Sequence, residues 1–291
     1  MNTVTSVREQ LEAQRRRAQG IGIAHAGVYL AAVVLVALRL YVPAAVAAGV
    51  NLLVFLFFVR GQIKGYSQAV ARANVLCGLC APLEEARFTG RAGLSAEQFR
   101  SLALLPIMEG DNSLLVRAAF SGRGFGLELS GCEMTLHYPA PGAKNTRYRF
   151  LSGTLLTAAP RSKTWAGDWL LLRRGLLDEA VQRAFLEERG YTPAVCPESR
   201  VSSRFQLYAG DGAREMPRWL ARRLSRTLEK AECLGAVRLT ADRAAVYLEN
   251  RFYTGGAKVR DLPDEAWLTH CPLPERDGVW ELFESLGAAQ E

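Results

Sequence analysis

The chain has 291 residues and a formal net charge of +7 at pH 7, with a sequence pI ≈ 9.2. Hydrophobic residues make up 49% of it, near the average for globular proteins, which excludes a transporter with many membrane spans. The length leaves room for one ordinary domain, or two small ones, besides a membrane segment. The positive charge favours an anionic neighbour, either a lipid surface or nucleic acid, although codon bias also produces arginine-rich chains.

Two adjacent apolar stretches near the N-terminus are each long enough to cross a membrane. Residues 21–41 read IGIAHAGVYLAAVVLVALRLY, and residues 42–59 read VPAAVAAGVNLLVFLFFV. At about 1.5 Å per residue, each helix would extend about 30 Å, the thickness of the hydrocarbon core. The groups of the first stretch that can carry charge, His25 and Arg39, lie near its two ends. The sequence therefore predicts a transmembrane hairpin over residues 20–60.

Small and polar residues predict how the two spans contact each other. The predicted contact residues are Gly27, Tyr29, Ala31, Ala45, Gly49 and Asn51. The four small ones form two pairs with the small-xxx-small spacing of close helix contacts. Asn51 and Tyr29 are expected at similar depth, where they would share a hydrogen bond. An asparagine in such a helix is more often a packing contact than an ion ligand.

Basic residues are concentrated on the two outer flanks of the hairpin. Residues 15–17 are all arginine, residues 60–72 contain three basic side chains, and the connecting loop carries only Arg39. The positive-inside rule therefore predicts two spans of the inner membrane with both termini cytoplasmic, and residues 1–19 as a cytoplasmic N-terminal segment. A signal peptide is the rival interpretation of the first span, but the apolar stretch is too long and a second span follows at once.

Beyond the hairpin, the hydrophobic period predicts a helical connector over residues 61–110. Its first helix continues from the second span in a helical pattern to Glu85, with Pro82 as a residue that can kink or end it. A second helix begins at Ser95, which forms a capping box with Gln98. Residues 111–291 are predicted to form a cytoplasmic α+β domain.

Short β-type runs separated by turn residues fill most of residues 111–291. The predicted strands are 114–120, 125–129, 134–138, 147–156, 165–172, 205–209, 237–240 and 244–248, and the predicted helices are 178–189, 213–233 and 279–286. Successive strands joined by short turns predict a mainly antiparallel sheet, with two or three helices packed on it. The fold class is therefore α+β, without the strand–helix alternation of a nucleotide-binding parallel sheet.

Residues that usually carry enzyme chemistry do not form a recognisable set. The six cysteines are scattered, which favours a reducing compartment. Cys77 and Cys80 have the spacing of half a zinc site or of a redox pair, but they lie in a predicted helix without a second ligand pair. The glycines of residues 121–126, SGRGFG, lack the spacing of a dinucleotide fingerprint and indicate a hairpin turn with Arg123 at its tip. No catalytic residue, metal or cofactor is predicted.

The helix predicted over residues 213–233 carries the strongest signal for a partner. Leu220, Leu224 and Leu228 share one arc, which is expected to pack on the sheet. The opposite arc carries basic residues and one tryptophan, namely Arg214, Arg218, Trp219, Arg222, Arg223, Arg226 and Lys230. Such a face suits anionic phospholipid headgroups, near which each basic residue contributes about 1 kcal/mol. The alternative is a solvated basic face, with the indole stacked under arginine side chains.

Four segments resemble one family of bacterial membrane proteins. They are FRSLALLPIMEGDN, FSGRGFGLELSGCEMTLHY, RYRFLSGTLLTAAPRSKTWAG and SRFQLYAGDGAREMPRWLARRLSRTLEKA. In the third segment, a strand with Phe150 and Gly153 precedes Trp165 and Gly167. Together with the paired spans, these segments resemble the bacterial domain of unknown function 3137 family. The resemblance implies a membrane-anchored architecture and carries no established activity.

Three functions are compatible with the sequence. The first is a membrane-anchored cytoplasmic binding or regulatory module, whose partners are the lipid bilayer and an unknown protein. The second is an enzyme acting on a membrane-associated substrate, with a site assembled from distant strands. The third is a membrane-tethered nucleic-acid binder, but no aromatic array or DNA-reading motif supports it, so nucleic acid is not an expected partner. The lack of a nucleophile set, a metal cluster or a phosphate loop favours the first.

Overall fold

The chain folds as two compact units, each built from two separate stretches of sequence. The computed structural model describes residues 4–90, 93–139, 148–160, 167–253, 258–259 and 261–288. The helical unit comprises Met1–Ala81 and Thr254–His270, and the sheet unit comprises Pro82–Tyr253 and Cys271–Glu291.

Helices and strands follow one another in an order that fits the α+β class. The helices are α1 (Val4–Ala37), α2 (Tyr41–Val54), α3 (Arg60–Asn74), α4 (Ala96–Leu102), α5 (Glu179–Glu188), α6 (Ser199–Arg204), α7 (Arg218–Lys230), α8 (Glu265–Thr269) and α9 (Arg276–Ala288). The strands are β1 (Glu84–Phe88), β2 (Leu114–Gly124), β3 (Leu127–Pro139), β4 (Tyr148–Pro160), β5 (Trp169–Arg173), β6 (Thr192–Pro193), β7 (Phe205–Ala209), β8 (Leu234–Leu239) and β9 (Ala244–Leu248).

Two long apolar helices dominate the helical unit, as the sequence predicted. The first is α1. The second runs from Tyr41 to Leu79 and contains α2, a π-helical turn at Phe55–Val59, α3 and a second π-helical turn at Val75–Leu79. Both helices are long and apolar enough to cross a membrane. Their large apolar side chains point outwards, and Phe57 is 73% exposed, which indicates association with a membrane rather than burial in a protein core.

A short turn joins the two long helices. The Leu40 N–H donates to the carbonyl of Leu35 over 2.9 Å, and Arg39 adopts φ 60°, so the end of α1 is closed by a left-handed residue. Pro43 lies in the first turn of α2, where its missing N–H is not needed. Since α1 already begins at Val4, the predicted N-terminal segment and the first span form one continuous helix.

Outside the apolar stretches, α1 and α3 remain in contact with each other. Together they bind residues 261–270, which we call the docked segment. Leu11 of α1 packs in one cluster with Tyr66 and Val70 of α3 and with Leu268 of α8. The Tyr66 hydroxyl also donates to the carbonyl of Asp261 over 2.7 Å. The docked segment therefore belongs to the helical unit, although it lies far along the sequence.

The strands of the sheet unit form one antiparallel sheet, as predicted. Among the described residues, nine strands pair in the order β1-β2-β3-β4-β9-β8-β5-β7-β6. Side chains on β3 alternate between the two faces of the sheet. Met134 on one face belongs to the same core cluster as Phe99 of α4 and Phe185 of α5. Leu127 on the other face lies beside Gly287 of α9, so helices cover both faces.

The predicted helical connector is wrong in its second part. The helix ends at Leu79 instead of continuing to Glu85, since Pro82 follows closely and proline does not continue a helix. Glu84–Phe88 is instead an edge strand that pairs with β2, so the sheet unit begins before residue 111. The capping box of Ser95 and Gln98 is confirmed at the start of α4.

The hairpin predicted at SGRGFG is present, but its turn lies two residues later. Strand β2 continues to Gly124, and the turn consists of Phe125 and Gly126, both with positive φ, as in a type I′ turn. Arg123 is therefore not at the tip. It pairs with Glu128 across the hairpin, and its guanidinium lies 3.1 Å from the Glu85 carboxylate.

Candidate functional site

The polar contact inside the membrane hairpin joins Asn51 to His25, not to Tyr29 as predicted. Nδ1 of His25 lies 2.7 Å from Oδ1 of Asn51, and the Asn51 amide donates to the His25 carbonyl over 3.1 Å. Asn51 is only 3% exposed. The imidazole is flanked by the rings of Tyr29 and Phe55, at centroid distances of 5.0 and 5.1 Å. The pair satisfies the polar groups that the hairpin buries, which is a structural role.

The small residues predicted for the helix contact lie outside it. All four are exposed, namely Gly27, Ala31, Ala45 and Gly49. A Cβ added at Gly27 or Gly49 would meet nothing within 4 Å. The buried small residues of the two apolar stretches are Ala32 and Ala44, each next in sequence to one of the predicted contact residues. The prediction is therefore wrong in the rotation of each helix by about one residue, or about 100°.

The basic helix α7 begins at Arg218 rather than at Ala213. Pro217 precedes it, and a proline disfavours helical geometry at the residue before it, so the helix does not extend further back. Arg214 consequently lies outside the helix, where its carbonyl accepts a hydrogen bond from the Val195 N–H over 2.9 Å. The other predicted residues of the basic face are all on α7.

The inner face of α7 is apolar and buried, as predicted. Leu220, Leu224 and Leu228 are at most 3% exposed. The helix also packs along α9, where a Cβ added to Gly278 would lie 2.8 Å from Lys230 Cβ and 3.3 Å from the Thr227 carbonyl oxygen. These contacts fix the rotation of α7, so its opposite face is held outwards.

The outer face of α7 is a cationic surface with one large aromatic side chain. Its exposed residues are Arg218, Trp219, Arg222, Arg223, Arg226 and Lys230. Trp219 is 48% exposed, whereas tryptophan is highly buried on average. An ion pair with Glu281 neutralises Lys230, and Glu198 lies 3.7 Å from Arg222. The remaining three arginines form no ion pair with any residue that the structure describes.

Val195 adds an apolar side chain near this face, which the hydrophobic pattern of the sequence does not indicate. Its N–H and carbonyl bond with Arg214 and Met216, directly before α7, and its side chain is exposed. Val195 lies outside the helices and strands and forms a single isolated β-bridge with Glu215. A residue in such a segment belongs to no helical or strand period, so hydrophobic periodicity does not identify it. We define the α7 surface as Val195, Arg218, Trp219, Arg222, Arg223 and Arg226.

Cys132 and Cys233 are poorly suited to nucleophilic chemistry. All six are free, and no group of three or more metal-binding side chains is arranged around an ion site among the described residues. Burial raises the pKa of Cys132 to about 12, and burial with the nearby Glu275 carboxylate raises the pKa of Cys233 to about 12. Neither thiol therefore forms a thiolate at neutral pH, which nucleophilic chemistry requires.

One carboxylate is buried in the sheet. Glu133 on β3 is 1% exposed, faces a bulge in β2, and lies 3.9 Å from the Arg117 guanidinium. Burial raises its pKa, while one oxygen accepts the Tyr253 N–H over 2.8 Å. A perturbed carboxylate is a candidate acid or base, but this one is closed off from a substrate. Its role is to anchor Tyr253, the last residue of the sheet unit before the chain enters the helical unit.

Comparison of the chain with family models, curated proteins and solved structures found no match. The resemblance to the domain of unknown function 3137 family therefore stays a prediction.

Proposed function

We propose that the protein is a membrane-anchored binding module whose sheet unit rests on anionic lipid through the α7 surface. The observation that carries the proposal is the half-exposed Trp219 among arginines that lack acidic partners in the described chain. An exposed indole is unfavourable in water and favourable at the level of lipid headgroups. Arginines around it add attraction to anionic lipid and interact with phosphates through two parallel hydrogen bonds.

This attraction is large enough to orient a tethered sheet unit on the lipid surface, but too small to recruit an untethered one to it. At about 1 kcal/mol per basic residue, the three arginines without an acidic partner in the described chain contribute about 3 kcal/mol, which alone corresponds to a dissociation constant of about 6 mM. A tether raises the effective concentration of a linked surface to the millimolar range. The hairpin would therefore keep the sheet unit near lipid, and the α7 surface would select which side faces it.

The proposal also states on which side of the membrane the sheet unit lies. Basic residues flank the outer ends of the hairpin and are scarce in its turn, so the sheet unit and both termini belong on the cytoplasmic side of the inner membrane. That leaflet carries the anionic lipids that the α7 surface requires.

Trp219 fluorescence in nanodiscs tests the proposal on the full chain. We expect brominated lipid to quench Trp219 in discs with anionic lipid, and to quench it much less in neutral discs. The emission of Trp219 is obtained as the difference between the native chain and Trp219→Phe, since the other tryptophans contribute to both. Arg223→Glu with Arg226→Glu removes about 2 kcal/mol or more of attraction, so the Trp219–lipid contact should weaken about 30-fold.

A matched control reverses two exposed charges elsewhere. Arg183→Glu with Arg189→Glu on and beside α5 changes the net charge equally and should leave the quenching unchanged. Quenching that is the same in neutral and anionic discs, or the same in the α7 variant, would contradict the proposal. Binding of duplex DNA that is lost in the α7 variant and falls with salt would favour the nucleic-acid alternative.

A further inference from the structure

A cleft of about 550 Å³ lies between α4 and one end of the sheet, away from the elements that form the α7 surface. Its walls come from β1, β2, β3, β4, α4 and the turn between β8 and β9. Small-molecule sites have volumes of about 300–1,000 Å³. The cleft is therefore large enough for a metabolite.

The floor of the cleft is a row of directly paired residues on adjacent strands. Arg87 on β1 is paired with Ser121 on β2, Ser121 with Ser130 on β3, and Ser130 with Thr157 on β4. The hydroxyl oxygens of Ser130 and Thr157 are 2.7 Å apart. Neighbouring strands are about 4.8 Å apart, so the row extends for about 14 Å. Each hydroxyl can donate and accept, which suits a ligand that carries hydroxyl groups itself.

Three arginines line the cleft, and they differ in their ionic partners. Arg123 is bound to Glu85, with 3.1 Å between nitrogen and oxygen. Arg87 and Arg243, both exposed, form no ion pair with a described residue. Arg87 stands at one end of the hydroxyl row, and Arg243 precedes the strand that pairs with β4 at the other. Two guanidinium groups without acidic partners thus flank a hydroxyl floor.

An irregularity in β1 accompanies the Arg87 end of the cleft. The register of β1 against β2 shifts between Glu84 and Arg87, and Glu85 within this bulge has φ 50°. A non-glycine residue with left-handed backbone is uncommon, and bulges often redirect side chains near functional sites. This bulge lets Glu85 bind Arg123 while Arg87 remains in register with Ser121.

We propose that this cleft binds a small phosphorylated molecule rich in hydroxyl groups, of the class of sugar phosphates and nucleotides. Guanidinium groups match the geometry of phosphate oxygens, so Arg87 and Arg243 can each bind a phosphate group at its own end of the row. The hydroxyls of the sugar pair with Ser121, Ser130 and Thr157. Apolar side chains of the walls, Leu94 and Leu102, offer a surface for the sugar or base ring.

Thermal unfolding and titration calorimetry of the full chain in detergent test this site. The probes are adenosine 5′-monophosphate, glucose 6-phosphate and inorganic phosphate, with glucose and sodium chloride as uncharged and ionic-strength controls. We expect a saturable rise of Tm and measurable heat with the phosphorylated sugars. Arg87→Gln with Arg243→Gln should weaken binding about tenfold or more, because each lost guanidinium removes a charge-assisted hydrogen bond.

Two further variants separate recognition from general charge. Ser130→Ala with Thr157→Val should weaken both phosphorylated sugars but leave inorganic phosphate unchanged. Arg223→Gln with Arg226→Gln removes the same charge from the α7 surface and should bind like the native chain. No saturable response to any phosphorylated probe up to about 10 mM, an affinity below about 3 kcal/mol, would overturn the proposal. If the Arg87/Arg243 variant and the Arg223/Arg226 variant lost binding of the phosphorylated sugars equally, the proposal would be overturned too. Either result leaves the membrane role of α7 unaffected.

Discussion

Replacing Gly153 with alanine is expected to destabilise the sheet unit by about 3 kcal/mol or more, the upper range for overpacked cores, and valine at this position should prevent folding. An added Cβ would lie 2.0 Å from the carbonyl oxygen of Leu248 and 2.9 Å from Cε2 of Tyr247. The oxygen belongs to β9, which pairs with β4 in the centre of the sheet, so the clash is relieved only by separating the two strands. Thermal unfolding of the purified variant measures the loss.

A glycine with open surroundings provides the control for this substitution. A Cβ added at Gly65 of α3 meets nothing within 4 Å, and alanine is favoured over glycine in a helix by about 1 kcal/mol. Gly65→Ala should therefore unfold at the native temperature or above it. If Gly153→Ala unfolded at the native temperature as well, the close approach of β4 and β9 would be wrong.

Replacing Asn74 with alanine should release the docked segment from the two long helices. The side-chain amide of Asn74 lies 2.9 Å from the carbonyl oxygens of Trp267 and His270 and 3.3 Å from that of Leu268. Asn74 is only 8% exposed, so water does not easily replace the lost donor. A buried acceptor without a partner costs about 1–3 kcal/mol, and local opening of the segment should become about 30-fold more frequent.

Hydrogen exchange of the full chain checks this expectation. Amides of residues 264–270 should exchange faster in Asn74→Ala, whereas amides of β3 should keep their native rates. Asn112→Ala, which removes an exposed asparagine in the sheet unit, is the matched control and should change neither region. Native protection of residues 264–270 in Asn74→Ala would show that other contacts hold the segment.

The membrane helices were predictable from sequence because length and hydropathy specify them, but their rotation was not. Small residues occur on several faces of both spans, so the spacing of Gly27 and Ala31 is no better a signal than that of neighbouring alanines. The polar pair fixes the rotation physically, since Asn51 must find a partner inside the hairpin. His25 lies near one end of the first apolar stretch, so its place in the sequence did not indicate that partner.

The buried face of the basic helix could be predicted from the sequence, whereas the cleft could not. The period of the leucines identifies the buried face of α7, but it does not show the start of the helix at Arg218, which depends on Pro217. The floor of the cleft instead joins residues from four strands, between Arg87 and Thr157. Its register depends on bulges and on the edge strand EEARF, whose five residues lack an alternating apolar pattern. Only the folded sheet places them together.

Labelling of single cysteines in intact cells tests the central claim, a membrane hairpin with the sheet unit on the side of its basic flanks. In a background with the native cysteines replaced by serine, Arg39→Cys lies in the turn between α1 and α2, and Asp242→Cys lies in the exposed turn between β8 and β9. A maleimide that does not cross membranes should label position 39 in intact cells, and position 242 only after permeabilisation. Labelling of position 242 in intact cells, or protection of position 39, would contradict the account.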